Sequence, residues 1–239
     1  MFSFSPERFK IHHCLKYILT YQKVGTLLYK YIKSEHAEMF FTNGTLRIGT
    51  LYDFKRNEAF NKAIGDNNEG SHFPFMDTDQ TLHADQMTDS QSAFLKGFIN
   101  MGTGSSITGI KLVQEISSED FYIFCMTTEP SRKAMEEFNC DKCIEILNPH
   151  SFISALTRKV KRTAGDLAWQ GEITYMDKEY SYLTETKLHP AQTKDIEYSY
   201  QKEYRAIWRR RNGTPSDTIL KPFFIKAPKA IKHCRLIKL

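Results

Sequence analysis

The sequence has little of what usually announces a function. Its 239 residues hold five cysteines, Cys14, Cys125, Cys140, Cys143 and Cys234. An odd count at irregular spacing argues against a disulfide framework and fits reduced thiols, so a cytoplasmic location is expected. No apolar run approaches the ~20 residues that span a bilayer, and no membrane partner is expected. The N-terminal stretch lacks a basic start followed by an apolar block and a small-residue cleavage site, so no secretory leader is expected. Neither G-x-S-x-G, H-E-x-x-H nor a Rossmann glycine pattern occurs. The Gly- and Ser-rich stretch at 100–109 lacks the lysine of a phosphate-binding P-loop. Cys140 and Cys143 have the spacing of half a zinc site but no second pair completes it, so no metal is expected. His12 and His13 are neighbours in a predicted helix, face different directions, and cannot chelate as an i, i+4 pair would. No internal repeat and no linker divides the chain.

What is present is a soluble, globular composition: 41% apolar, 26% charged and an aromatic content of 13%, enough for a well-stocked core or a stacking site. The net charge of +5 is unevenly spread. Residues 53–90 carry 3 basic against 8 acidic side chains, and residues 194–239 carry 12 against 4. A basic segment of that kind attracts phosphates, of nucleic acid or of a dinucleotide.

Periodicity and punctuation predict helices over 6–22, 34–41, 91–101, 129–138, 149–162 and 187–198. Ser34 and Asn148 are the expected caps of two of them, Pro149 opens one, and Asn43-Gly44 closes another. Strands are predicted over 27–31, 45–50, 121–127, 143–147, 171–176, 222–226 and 234–237, with 121–127 the buried central one. The turn-rich run 57–89 reads as a mobile loop or insertion. The expected fold is a single α+β domain with peripheral helices.

The stretch 198–208, YSYQKEYRAIW, alternates as a strand. It puts Gln201, Glu203, Arg205 and Ile207 on one side and Tyr200, Lys202, Tyr204, Ala206 and Trp208 on the other. A carboxylate on an interior strand needs a partner or a task. Glu203 is either an ordinary cross-strand ion-pair member or a fixed charge that stabilises a positive charge developing on a substrate.

The motifs Leu28-Tyr29-Lys30-Tyr31, GTLRIGTLYDF at 44–54, Asp66-Asn67-Asn68-Glu69-Gly70, Ile123-Phe124-Cys125-Met126-Thr127 and Glu203-Tyr204-Arg205 occur in that order. The order resembles a widespread bacterial family known only as a domain of unknown function. More distantly it is similar to the ADP-ribosyltransferases, which pair an early strand that orients NAD with a late strand carrying a catalytic Glu. That similarity implies a split-sheet core, NAD as substrate, and modification of a macromolecule or cleavage of NAD, in a toxin, phage-defence or host-takeover setting. It places Lys30 where those enzymes have His or Arg, and Glu203 at the catalytic position. Loss of nicotinamide leaves an oxocarbenium-like ribose that a preorganised carboxylate stabilises. Tyr29, Lys30, Tyr31, Arg47 and Arg205 are then the candidate cofactor-binding residues. A second reading is a non-catalytic nucleic-acid-binding module. Arg209, Arg210 and Arg211 would neutralise phosphates, and Tyr198, Tyr200, Tyr204 and Trp208 would stack on bases. A third is a protein-interaction domain that kept the fold and lost the chemistry.

Overall fold

The computed structural model describes residues 27–55, 67–215 and 217–239. The helix predicted at 6–22, with its paired histidines, and residues 57–66 of the predicted loop lie outside them. The described chain is mixed α and β. Its main sheet has eight strands: β1 (Leu28–Ile32), β2 (Thr45–Thr50), β3 (Tyr122–Thr127), β4 (Lys142–Ile146), β5 (Leu167–Glu172), β6 (Glu203–Trp208), β7 (Phe223–Lys226) and β8 (Cys234–Ile237). All of its pairings are antiparallel, in the order β5-β6-β3-β1-β4-β8, with β2 joining β3 to β7.

The central strand β3 organises the rest. One edge pairs with β6 over its whole length, from Glu203 opposite Thr127 to Trp208 opposite Tyr122. The other edge is shared. β2 takes its start, at Ile123 and Tyr122, and β1 takes only its end, Tyr29 opposite Thr127. The sheet therefore splits along this edge.

Side-chain alternation sends Tyr122, Phe124 and Met126 of β3 to one face, with Tyr204, Ala206 and Trp208 of β6. There they pack on Phe40 of helix α1 (Ser34–Asn43) and on Phe152, Ile153, Leu156 and Val160 of helix α2 (Pro149–Val160). Both helices form as expected. The Asn148 side chain accepts from the Ser151 N–H, and Pro149 occupies the first turn. α1 ends at Gly44, whose N–H donates to the Phe40 carbonyl from a left-handed φ of 79°. Ser34 is not its cap: Lys33 holds that position, and the Ser34 N–H instead donates to the Asp141 carboxylate at 2.7 Å.

Three further expectations change. The described part of 57–89 is not a bare loop. It carries the strand Ser71–Asp77, central to a smaller sheet with Lys111–Val113, Ile116–Ser117 and Glu179–Ser181. The polar composition of that run conceals a strand whose neighbours lie far along the chain. Residues 187–198 are not one helix, because Thr193–Asp195 pairs in parallel with Thr174–Met176. Finally, 198–208 is a strand only from Glu203. Asp195 caps a 3-10 helix over Ile196–Gln201, and Lys202 turns the chain with a φ of 45°.

Candidate functional site

The second face of the sheet carries Ile123, Cys125, Glu203, Arg205 and Ile207. Where β1 and β2 part, this face opens into a cleft with a cavity volume of about 160 Å³. β1 contributes Tyr29, Lys30 and Tyr31, β3 contributes Cys125 and Thr127, and β6 contributes Glu203 and Arg205. Phe54, Phe138 and Cys140 add apolar wall, and Glu69, Lys194 and Gln201 close the polar end. Apolar walls with a few converging polar groups are the usual make-up of a small-molecule site.

Four charges are buried at the polar end. Arg205, 1% exposed, holds Glu203 through Nε to Oε1 at 2.5 Å and Nη2 to Oε2 at 3.3 Å. The same guanidinium grips Glu69 with both Nη atoms, at 2.8 and 3.1 Å, and donates to the Ala191 carbonyl at 3.1 Å. Lys194 Nζ donates to Glu203 Oε2 at 3.2 Å and to Gln201 Oε1 at 2.8 Å. Two cations and two carboxylates balance. An unpaired charge would not survive at this depth, whereas a fully bonded set does. The planar fork of Arg205 makes two bonds to each of the two carboxylates, a grip for which the three donors of a lysine ammonium are too few.

The same contacts set the protonation states. Burial alone would raise the Glu203 pKa, but Arg205 and then Lys194 override it and hold the carboxyl well below its usual range. Burial would lower Lys194, yet Glu203 and Glu69 raise it, so it stays an ammonium. Burial and the neighbouring Glu203 push the Cys125 thiol up to about 12, leaving it protonated and poorly nucleophilic. Glu203 is further fixed by its own backbone, whose N–H donates to the Tyr175 hydroxyl at 2.8 Å. A carboxylate has about four acceptor positions. Arg205 takes two, Lys194 one and the Cys125 thiol another, so a ligand hydroxyl reaches Glu203 by displacing the thiol.

Lys30 lies at the split itself. Its Nζ donates to the Cys125 carbonyl at 2.8 Å and stands 5.0 Å from the centre of the Phe124 ring. Among the described residues no carboxylate is paired with it. With the four buried charges balanced, Lys30 is the excess positive charge of the cleft. The Tyr31 hydroxyl donates to the Glu129 carbonyl and accepts the Ser131 N–H at 2.6 Å, which ties β1 to the turn before the short helix Arg132–Glu137.

The chain thus brings together Tyr29, Lys30, Tyr31, Glu203 and Arg205, which the sequence singles out from opposite ends. Arg47 is elsewhere. Its guanidinium is 2.5 Å from Asp53, six residues on, and it does not line the cleft. Arg209, Arg210 and Arg211 do not act as one exposed run. Arg210 is 9% exposed, pairs with Glu119 and donates to the Asp120 carbonyl, while Arg209 and Arg211 face solvent. Tyr204 and Trp208, expected to stack on bases, are core residues at 3% and 0% exposure.

Sequence reasoning does not find Glu69, Lys194 and Gln201 as site residues. Glu69 lies in the acidic run that reads as a loop, and Arg205 is 136 residues away. Gly70 seats it: φ is 68°, and a Cβ there would lie 2.6 Å from a Leu51 methyl. Lys194 sits in a three-residue strand too short to carry a pattern. Among the described residues no group of three or more His, Cys, Asp or Glu side chains is placed to hold a metal ion, and no helix is long and apolar enough to cross a membrane. Comparison with models of known protein families, with characterised proteins and with solved structures gave no match. The interpretation of the cleft therefore rests on its own residues.

Proposed function

We propose that the cleft binds a nucleotide of the NAD type and that the protein is an NAD-consuming enzyme of the ADP-ribosyltransferase or NAD glycohydrolase kind. The observation that carries this reading is the convergence, at the split of the sheet, of an ionised, rigidly held carboxylate with a cation and tyrosines. Glu203 supplies the carboxylate, Lys30 the cation, and Tyr29 and Tyr31 the aromatic surface. Lys30 attracts the pyrophosphate and the tyrosines pack against a ring. Glu203 accepts a ribose hydroxyl and stabilises the positive charge that develops as nicotinamide leaves. Arg205 and Lys194 keep Glu203 charged and oriented, so no reorganisation is needed at the moment of reaction. Their own positive charges offset part of the field that Glu203 exerts.

The test is nicotinamide release by the purified chain, alone and with RNA, DNA or protein as acceptor. Removing a well-placed electrostatic stabiliser costs roughly 100–1,000-fold in rate, so Glu203→Gln is expected to slow release by that factor. Because Glu203→Gln also disturbs buried charges, Lys30→Met serves as a second variant. It leaves the four-charge set intact and is expected to raise KM with little change in kcat. Release by Glu203→Gln at the parent rate, or the absence of release from the parent with every acceptor, overturns the proposal.

A further inference from the structure

The split of the main sheet leaves one backbone donor unpaired. In an antiparallel strand each residue turns its N–H and C=O to the same edge, and successive residues alternate edges. The Phe121 carbonyl accepts the Leu51 N–H at 2.9 Å on the edge of β3 that splits. By alternation Ile123, Cys125 and Thr127 turn their backbone groups to that same edge. Ile123 lies opposite Gly49 of β2, and Thr127 opposite Tyr29 of β1. Cys125, between them, lies opposite no residue of either strand, because β2 leaves β3 at Gly49 and gives residues 45–48 to β7. The Lys30 ammonium takes the Cys125 carbonyl. Among the described residues nothing accepts the Cys125 N–H. A main-chain N–H shielded from bulk water needs an acceptor in protein, water or ligand. Cys125 lines the cleft and is partly exposed there, so the acceptor has to come from the cleft. Of the three ammonium donors of Lys30 the Cys125 carbonyl takes one, which leaves two beside this N–H.

We propose that the Cys125 amide and the Lys30 ammonium together form an anion subsite that holds a phosphate of the ligand. This rests on reading the cleft as a nucleotide site, though not on the release of nicotinamide. Charge and placement both select phosphate. The four charges at the polar end balance, so an anion beside Lys30 meets uncompensated positive charge, and a lysine ammonium binds phosphate as a point charge. Main-chain N–H groups are the usual partners of phosphate oxygens. Placement adds a second requirement. The carbonyl of Cys125 fixes Lys30, and its side chain shares the cleft face with Glu203. The anion site and the carboxylate that accepts a hydroxyl are therefore joined through one residue. That suits a sugar phosphate, in which a phosphate and hydroxyls are a few bonds apart; a simple carboxylate ligand has no group for Glu203.

The test uses inorganic pyrophosphate as the probe and the full chain isotopically labelled at its cysteine amides. The five cysteines give five amide signals in a nuclear magnetic resonance spectrum, and that of Cys125 is the one missing from Cys125→Ala. The Cys125 signal is expected to move downfield as pyrophosphate is added and to saturate with the binding curve measured by calorimetry. Lys30→Met is expected to weaken binding by about tenfold or more, the usual effect of losing a hydrogen bond to a charged group. Acetate at the same concentration is expected to move the signal far less. The proposal is overturned if pyrophosphate does not bind, if it binds with the Cys125 signal unmoved, if Lys30→Met binds it as tightly as the parent, or if acetate binds as tightly as pyrophosphate. The two readings of the cleft fail separately. Pyrophosphate on the Cys125 amide without nicotinamide release removes the enzyme and upholds the subsite, whereas release with this signal unmoved by pyrophosphate removes the subsite alone.

Discussion

At the scale of single residues, the account turns on how buried charge is tolerated. Removing one partner of a buried ion pair typically costs about 3–5 kcal/mol, because the other is left uncompensated. Glu69, Lys194, Glu203 and Arg205 avoid this by sharing their bonds, and the arrangement fixes Glu203 at the cleft. Its depressed pKa also couples it to pH. The stability it contributes is present above the ordinary carboxylate range and is lost as the pH falls toward its folded value. A second buried group adds to this at milder pH. His72, 2% exposed, shares a hydrogen bond with the Thr193 hydroxyl at 2.8 Å, and burial, then Lys178 and His189, push its pKa from 6.5 down to about 4. The folded protein therefore holds His72 neutral while the unfolded chain protonates it. Stability due to this group is complete above about pH 6.5 and declines as the pH falls toward 4. Urea unfolding midpoints measured from about pH 7.5 to 4.5 are expected to fall, and His72→Gln is expected to flatten the upper part of that decline. A slope unchanged in the variant would remove His72 as its source.

At the scale of elements, local rules account for much of what forms. The Asn148 cap with Pro149, the stop at Asn43-Gly44, and the apolar run of β3 all follow from side-chain chemistry visible in the sequence. Gly44 has a further role. Besides its φ of 79°, a Cβ there would lie 2.4 Å from the Ala227 carbonyl carbon, where the turn after β7 crosses the end of α1. Gly44→Ala is therefore expected to destabilise the fold by more than about 1 kcal/mol, since both the backbone conformation and the crossing are disturbed. Chemical denaturation checks this, and a change within error would mean that the crossing relaxes freely. The pairing of Glu203 with Arg205 is legible for a similar reason, because residues two apart on a strand share a face. Lys194 is not, since its strand spans only Thr193–Asp195 and its bonds run to Gln201 and Glu203 across a turn. Arg47 looks like a site residue because the sequence does not show that Asp53 lies within its reach.

At the scale of the whole molecule, the α+β class and the order of the strands can be read from the sequence, but not which strands are neighbours. Which edge of β3 is shared, and hence where the sheet splits, depends on contacts such as Tyr29 with Thr127, almost a hundred residues apart. The smaller sheet, hidden in polar sequence, brings Glu69 to Arg205 and so completes the site. The central claim is that the split of the sheet is where a nucleotide binds. A crystal structure of the chain soaked with NAD tests it most directly. Density for the ligand is expected between Lys30 and Glu203, with the pyrophosphate near the Lys30 ammonium and a ribose hydroxyl on the Glu203 carboxylate. A well-ordered ligand bound anywhere else, with the cleft accessible and empty, would refute the assignment.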